Sequence, residues 1–234
     1  MAYSAAMSTF RLAELAVAGF RTRHECLGAV NDRDWAHTAS GTGTSLTAVA
    51  VGTVNVLGVL RANLGTTAAG QVSIASPTLT TALLFGKGRV LFSANLKLVG
   101  LSTGTNTYTL RAGLLSSITG ESTNGAFFRY THGTNSGKWQ ALTRNNGSET
   151  ATDTGVTAAT SAFTRFAIWA TPDGTSVVFF INGAKVATHS ANIPTAAGRE
   201  FGYGVMCLRS VGTASFDAYD LDALEVVAET TVSR

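Results

Sequence analysis

The chain has 234 residues, of which 45% are hydrophobic and 13% charged, with 25 glycines and a formal net charge of +3. This length is sufficient for one large all-β domain with a substantial core, so a second domain is not required. The charged share is about half of the usual quarter, so hydroxyl side chains must keep the surface soluble, and such a surface packs more easily against other copies or a partner.

The first predicted element is a short helix, which Ser8 and Thr9 can cap and Gly19 can end. Its apolar positions are Phe10, Leu12, Leu15 and Val17. A Gly/Thr/Ser-rich connector over 39–47 resembles a flexible linker. We therefore interpret residues 1–44 as an N-terminal arm, helical or extended, and residues 45–234 as the main domain. Two interpretations of the arm stay open: it packs on its own domain, or it contacts another subunit.

Beyond the connector, short strand patterns separated by turn residues are typical of a β-sandwich. Alternation is strongest over 89–98, where Val90, Phe92, Ala94, Leu96 and Leu98 face one way. The predicted strands cover 46–51, 54–61, 71–74, 89–98, 108–114, 127–131, 138–144, 164–170, 203–209 and 216–227, besides the hairpin described next.

The hairpin over 173–189 is the clearest single prediction. Asp173-Gly174 supplies the turn before its first strand, and Asn182-Gly183 favours a two-residue type I′ connection between the two strands. Asn124-Gly125 and Asn146-Gly147 predict further turns of the same chemistry.

Charge and cysteine patterns exclude several function classes. Basic residues prevail between Lys87 and Arg144, with Glu121 as the one acidic residue among them, whereas acidic residues crowd the C-terminus. This asymmetry can pair neighbouring strands or neighbouring subunits. The basic residues are spread singly over strands without a nucleic-acid-binding motif, so no nucleic-acid partner is predicted. No apolar run is long enough for a membrane helix, and the distant Cys26 and Cys207 fit a reduced, cytosolic setting.

Three stretches carry a resemblance to a known family: F-T-R-F-A-I-W-A from Phe163, the hairpin over 173–189, and D-L-D-A-L-E-V-V from Asp220. They resemble the concanavalin A-like, or laminin-G-like, jelly-roll domains over roughly residues 46–227. More narrowly, the Thr/Gly-rich strands and the segment 145–155 resemble such domains in structural proteins of tailed bacteriophages.

This resemblance implies an all-β antiparallel jelly-roll β-sandwich that acts as a non-enzymatic virion protein. The expected role is head decoration, or cement: the protein would assemble in the host cytoplasm, bind the major capsid protein on the capsid exterior and self-associate as a homotrimer. The arm, through Phe10, Leu12, Arg21 and Arg23, would then contact the capsid. The alternative is a receptor- or carbohydrate-binding module of a tail or head fibre, with a surface glycan as partner.

An enzyme is not predicted, although one motif comes near to a catalytic one. Related glycoside hydrolases carry alternating carboxylates on a strand as nucleophile and general acid. Asp220, Asp222 and Glu225 approach this motif, but Asp220 stands where the family has Glu. Calcium has no support, because Glu121, Asp153 and Asp173 lack the spacing of an oxygen-ligand loop. No catalytic residue, cofactor or metal site is therefore predicted.

Two further groups of side chains can be interpreted as either structural or functional. Tyr130, Trp139 and Trp169 can stack on sugar rings, but their positions in alternating strands favour burial in the core. The four histidines are dispersed along the chain, and each is interpreted as a loop or surface residue; they are His24, His37, His132 and His189.

Overall fold

The computed structural model describes residues 19–26, 35–49, 58–79 and 83–229. Within these ranges the chain forms antiparallel β-strands and one short 3-10 turn, Asn135–Gly137. The strands are β1 Gly19–His24, β2 Ala36–Ser40, β3 Thr44–Val49, β4 Val59–Leu64, β5 Gln71–Ala75, β6 Val90–Leu98, β7 Tyr108–Leu115, β8 Gly125–Thr131, β9 Lys138–Asn145, β10 Ser148–Thr157, β11 Thr164–Ala170, β12 Val177–Ile181, β13 Ala184–His189, β14 Gly202–Arg209 and β15 Asp217–Glu229.

The described strands form two sheets that pack face to face, which confirms the predicted all-β jelly-roll sandwich. The eight-stranded sheet has the order β13-β12-β11-β6-β15-β4-β3, and β1 also pairs with β15. The seven-stranded sheet has the order β10-β9-β8-β7-β14-β5-β2. Strand β15 is long enough to pair with β4 through residues 217–221 and with β1 through residues 224–229 on the same edge.

Alternating side chains from both sheets build the core between them. In β6 every second residue is buried, as the period of a strand with one core face requires. Aromatic rings join the sheets at the centre, since the Phe128 ring of β8 lies 4.9 Å from Phe166 of β11 and 5.4 Å from Phe179 of β12, measured between centroids. Buried aromatic pairs of this kind contribute about 0.5–1.5 kcal/mol each beyond their buried area.

Two of the predicted turns have the expected backbone conformation. Asn182 and Gly183 connect β12 to β13 with φ values of 50° and 80°, and Asn146 and Gly147 connect β9 to β10 with 52° and 83°. Positive φ at both central positions defines the type I′ turn, which Asn-Gly favours because its twist matches that of antiparallel strands. The predicted hairpin is therefore confirmed.

The structure differs from the sequence prediction in the segment predicted as an arm. Strand β1 pairs with β15 and strand β2 pairs with β5, so both belong to the sandwich. The connector over 39–47, predicted to be flexible, is the end of β2, a turn and most of β3. Strand β1 was not predicted because its inward-facing side chains, Thr22 and His24, are polar. Trp35 Nε1 donates a hydrogen bond to Thr22 Oγ1 at 2.9 Å. The predicted helix, with Phe10 and Leu12, lies outside the described residues.

Candidate functional site

The outer face of the seven-stranded sheet carries two parallel rows of side chains that the strand register aligns. We call one the polar row and the other the apolar row. The polar row consists, from edge to edge, of Thr38, Ser73, Met206, Arg111, Arg129, Gln140 and Asp153, with Met206 as its one apolar member. The apolar row consists of Ala36, Ala75, Gly204, Gly113, Phe127, Leu142 and Ala151. With strands about 4.8 Å apart, each row extends for almost 30 Å.

The centre of the apolar row has no side chains, because Gly204 and Gly113 lie side by side on β14 and β7. Neither position has room for one. A Cβ atom at Gly204 would lie 2.4 Å from the Ile74 carbonyl oxygen, and one at Gly113 would lie 2.5 Å from the Ala126 carbonyl oxygen. The two glycines therefore leave the backbone itself as the floor of the face at this point, and both are buried.

Three arginines on adjacent strands converge next to these glycines, and we call them the arginine cluster: Arg111 of β7, Arg129 of β8 and Arg144 of β9. All three contact the carboxylate of Glu121. Arg144 Nη1 lies 3.1 Å and Arg129 Nη1 3.4 Å from Glu121 Oε1, while Arg111 Nη2 donates to Oε2. Charge-assisted bonds from guanidinium to carboxylate are among the strongest hydrogen bonds in proteins.

A second carboxylate completes the charge balance of this site. Glu149 of β10 accepts two hydrogen bonds from Arg129, at 3.0 and 3.1 Å, and its Oε2 lies 3.5 Å from Arg144 Nε. Three guanidinium groups therefore face two carboxylates, which leaves one positive charge in excess. The sequence has an excess of basic residues between Lys87 and Arg144, and this cluster accounts for part of it.

Arg111 is the most deeply buried member of the cluster. Its side chain is 7% exposed, against 17% for Arg129 and 15% for Arg144. Burial lowers the pKa of Arg111 from its ordinary value, while the charge of Glu121 opposes that shift. Among the described residues no hydrogen-bond partner reaches its buried Nε atom. A buried guanidinium is costly without an anion, so this position requires a carboxylate or an equivalent group.

Glu121 belongs to a segment that folds over the sheet between β7 and β8, residues 116–124, which we call the cover loop. Ile118 of this loop packs on a small apolar cluster of the outer face, formed by Leu115, Phe127, Leu142 and Met206. The Gln71 side-chain amide donates to the Ile118 carbonyl, and Arg144 Nη1 donates to the Ser122 carbonyl at 2.9 Å. Its end is tied to the β9–β10 turn, since Asn146 N donates to Asn124 Oδ1 at 2.8 Å and Gly147 N donates to the Thr123 carbonyl at 2.9 Å. The cover loop is thus held by one apolar contact and several hydrogen bonds.

The near-catalytic motif on β15 lies on the other sheet, and its three carboxylates do not act together. Asp220 accepts two hydrogen bonds from Arg61, at 2.7 and 2.8 Å, and lies 3.2 Å from Lys97 Nζ. Asn95 Nδ2 donates to Asp222 at 2.7 Å, and Arg21 lies 2.7 Å from Glu225. A β-bulge between Leu221 and Ala223 interrupts the alternation that the motif would need. Asp220 and Glu225 are thus ion-paired within their own sheet, and Asp222 is hydrogen-bonded there.

The predicted partner contacts Arg21 and Arg23 both lie on β1. Arg21 pairs with Glu225 as described, and Arg23 pairs with Glu25. Their side chains are 50% and 43% exposed, so each remains accessible. Their role toward a capsid stays a prediction, as does that of Phe10 and Leu12, which lie outside the described residues.

The aromatic side chains considered for sugar stacking do not form a platform. Tyr130 and Trp139 are buried in the core, with ring centroids 5.5 Å apart. Trp169 lies on the outer face of the eight-stranded sheet, packed against Ala167, Val178 and Phe180. The predicted burial of Tyr130 and Trp139 in the core is therefore confirmed.

Two histidines predicted as loop or surface residues are buried instead. His189 joins the two sheets, since its Nδ1 lies 3.0 Å from Thr143 Oγ1 and its Nε2 lies 2.9 Å from Thr152 Oγ1. His24 lies in the core with its ring centroid 5.3 Å from that of His37. Polar partners on the inner faces satisfy the hydrogen-bonding groups of the buried rings. A single sequence does not show which partners a histidine will meet, so this burial was not predicted.

Several site types are absent from the described part of the chain. No group of three or more His, Cys, Asp or Glu side chains there is arranged to hold a metal ion. No helix in those ranges is long and apolar enough to span a membrane. Cys26 and Cys207 are buried and form no disulfide, and burial raises the pKa of both thiols.

Solved structures share this fold at low sequence identity. A protein of unknown function, SO2946 from Shewanella oneidensis MR-1, matches with a TM-score of 0.68 and 14% identity, over 99% of this chain and 95% of that one. The endo-1,3-beta-glucanase of Streptomyces sioyaensis gives 0.59 and 14%, over 89% and 95%. Peanut lectin gives 0.56 and 8%, over 92% and 99%. The concanavalin A-like part of the resemblance is confirmed, whereas the bacteriophage part stays a prediction.

Among curated protein sequences, none matches this chain. A family model described as SO2946-like, C-terminal domain, matches residues 55–222. That range runs from before β4 into β15 and so includes both the arginine cluster and the cover loop. The chain therefore belongs to the SO2946-like C-terminal domain family.

Proposed function

We propose that this chain is a non-enzymatic glycan-binding domain whose binding surface is the outer face of the seven-stranded sheet. The observation that carries this proposal is the alignment of the polar row with the apolar row. A sugar ring presents hydroxyl groups at its edge and C–H groups on its face, so it is matched by guanidinium and amide donors beside apolar floor positions. Arg129 and Gln140 supply the polar groups. Gly204 and Gly113 are buried, so a ring would reach this floor only after the cover loop moves.

The fold is compatible with this function. Peanut lectin and the endo-1,3-beta-glucanase of Streptomyces sioyaensis are named for binding or cleaving carbohydrate, and both share the sandwich. A shared fold alone does not transfer function, so the proposal depends on the chain's own rows of side chains.

The non-enzymatic part of the proposal follows from the positions of the carboxylates. Glycoside hydrolysis uses two carboxyl groups that flank the scissile bond. Asp220, Asp222 and Glu225 lie on the opposite sheet, each bound to a neighbour in that sheet. On the proposed binding face, Glu121 and Glu149 bind the arginine cluster.

A glycan array followed by calorimetric titration tests the proposal. We expect the wild-type chain to bind at least one glycan class and Gln140→Ala, which shortens a donor in the polar row, to weaken that binding. The matched control is Lys185→Ala, because Lys185 is exposed on β13 of the other sheet. A blank array, together with a blank titration against bacterial surface polysaccharide, would overturn the proposal. Equal losses in both variants would place the binding surface elsewhere.

The capsid-decoration role stays a prediction beside this proposal, and it has a separate test. Purified chain is mixed with capsids that lack it, and the bound copies per shell are counted. Saturation at many copies, with capsids that better resist heat, is the result expected for a decoration protein. Few copies or none would leave the fibre-module alternative, which agrees with glycan binding.

A further inference from the structure

We infer that the arginine cluster is a binding site for the carboxylate of an acidic sugar, a uronic acid, and that Glu121 of the cover loop occupies this site as an internal substitute for the ligand. The inference rests on the proposed function and names the class of glycan. It also adds a displaceable residue to the site.

The geometry of the cluster is that of a carboxylate receptor. Both oxygens of Glu121 are used: Oε2 accepts from Arg111, while Oε1 lies within 3.4 Å of Arg129 and Arg144 nitrogens. The three guanidinium groups extend from three neighbouring strands, whose backbone hydrogen bonds fix their spacing. The site therefore keeps its shape when the carboxylate that fills it changes, which is the preorganisation that a binding site needs.

Arg111 supplies an independent reason for a ligand at this position. Its side chain is 7% exposed, and its buried Nε has no hydrogen-bond partner in the described residues. Besides its bond to Glu121, Arg111 donates from Nη1 to the Met206 sulfur at 3.3 Å, so it uses only part of its donor set. An acidic sugar has ring and hydroxyl oxygens next to its carboxylate, and such oxygens can accept from the donor that Glu121 leaves free.

Glu121 is the exchangeable partner of the cluster, whereas Glu149 is fixed. Glu149 is part of β10 and accepts a bidentate bond from Arg129, and its side chain is 26% exposed. Glu121 lies in a loop and its side chain is 38% exposed. Displacement of Glu121 by another carboxylate therefore moves the cover loop and leaves the strands in place.

The same movement would uncover apolar surface beside the arginines. Ile118 covers a cluster that includes Leu115, Phe127 and Met206, next to the side-chain-free floor at Gly204 and Gly113. A pyranose ring can lie on this surface while its carboxylate reaches the cluster. A uronic acid thus fits the opened site at both its charged and its apolar parts.

Calorimetric titration with a matched pair of oligosaccharides tests the inference. The probes are hexa-β-1,4-glucuronate and cellohexaose, which share a backbone and differ in the carboxylates. We expect wild type to bind hexaglucuronate more tightly than cellohexaose. Glu121→Gln removes the competing charge and should tighten hexaglucuronate binding by about tenfold, or about 1.4 kcal/mol, without changing cellohexaose binding. Adding Arg129→Gln to that variant should abolish the gain, and the loop substitution Glu200→Gln should change nothing.

The outcomes separate this inference from the proposed function. Equal binding of both probes, unchanged in Glu121→Gln, would overturn the acidic-sugar inference and leave glycan binding intact. A blank with both probes would overturn the inference, and the glycan array would then decide the proposed function alone.

A stability measurement supplies a readout that needs no oligosaccharide. Acetate should raise the melting temperature of Glu121→Gln relative to chloride at equal ionic strength, because a free carboxylate can fill the cluster. The same acetate should not stabilise the Glu121→Gln/Arg129→Gln variant. Failure of acetate to stabilise Glu121→Gln would contradict a carboxylate site. If Glu121→Gln does not fold, Arg129→Gln in the wild-type background must weaken hexaglucuronate binding and spare cellohexaose.

Discussion

The outer faces of the two sheets use charge in opposite ways. On the eight-stranded sheet, three acidic residues of one strand are each bound by donors from neighbouring strands, as when Arg61 and Lys97 hold Asp220. On the seven-stranded sheet, three cations from three strands meet one carboxylate that a loop supplies. Partners that belong to one sheet stabilise it permanently, while a partner on a loop can be exchanged. The comparison explains why we propose the arginines, and not the motif on β15, as the binding site.

The largest expected effect compares the main core with the small cluster under the cover loop. Phe127 and Phe128 are both fully buried on β8, but they face opposite sides of the sheet. We expect Phe128→Ala to lower the free energy of unfolding by about 4 kcal/mol, because its ring contacts Phe166 and Phe179 at the centre of the sandwich. Phe127→Ala should cost clearly less, about 2 kcal/mol, because the cover loop can move into the space. Urea unfolding of both variants measures the difference.

Equal losses in the two variants would contradict the idea that the cover loop is adjustable. They would indicate instead that the small cluster is as tightly packed as the main core, and the site would then be closed to a ligand ring.

The next effect compares the two kinds of ion pair directly. Asp220→Asn should lower the free energy of unfolding by about 2 kcal/mol, because the Asp220 side chain is 4% exposed and Arg61 and Lys97 lose their shared anion. Glu121→Gln should cost less, about 1 kcal/mol, because its side chain is 38% exposed, the Gln amide oxygen can still accept from Arg111, and Glu149 keeps Arg129 and Arg144 paired. Urea midpoints at low salt measure both changes. A larger loss for Glu121→Gln would show that the loop glutamate is a permanent structural partner.

The sequence was most informative where large apolar residues alternate between strong turn signals. The predicted strand over 164–170 has the observed bounds of β11, and the Asn182-Gly183 turn has the predicted conformation, since local chemistry determines both. Strand β10, Ser148–Thr157, was not predicted because its inward side chains are threonines. These threonines form hydrogen bonds instead of apolar contacts. Thr152 Oγ1 lies 2.9 Å from His189 Nε2, and Asn192 Nδ2 donates to Thr150 Oγ1 at 2.9 Å. An inner face made of hydroxyl groups has no hydrophobic period to detect.

The candidate site could be predicted only in part. The excess of basic residues opposed by Glu121 was visible in the sequence, and it indicated pairing between neighbouring strands or neighbouring subunits. The convergence of Arg111, Arg129 and Arg144 depends on the registers of β7, β8 and β9. An Asn-Gly turn fixes the register of the two strands that it joins. The nine-residue connection 116–124 does not fix the register of β7 and β8, so the sequence could not predict it. The outward position of all three arginines in alternating strands was the one signal available.

The smallest expected effect concerns His189, where the two sheets meet. Thr143 Oγ1 donates to the Ala191 carbonyl at 2.9 Å, so it accepts from His189 Nδ1, and in the neutral ring Nε2 then accepts from Thr152. Burial lowers the pKa of His189 below its ordinary value of 6.5. The unfolded chain therefore takes up a proton on His189 at a higher pH than the folded chain. The stability that His189 contributes is present above pH 6.5 and is lost as the pH falls toward the lowered folded-state pKa.

Wild type and His189→Gln, compared by urea unfolding at pH about 7.5 and about 5.5, isolate this contribution, because every other histidine is common to both chains. We expect the advantage of wild type to shrink at the lower pH by less than the cost of Asp220→Asn. An advantage that stays constant or grows on acidification would show that His189 is protonated in the folded chain, and the neutral link between β13 and the strands β9 and β10 would be wrong. A shrinking advantage would show that acid weakens the junction of β13 with β9 and β10 through His189.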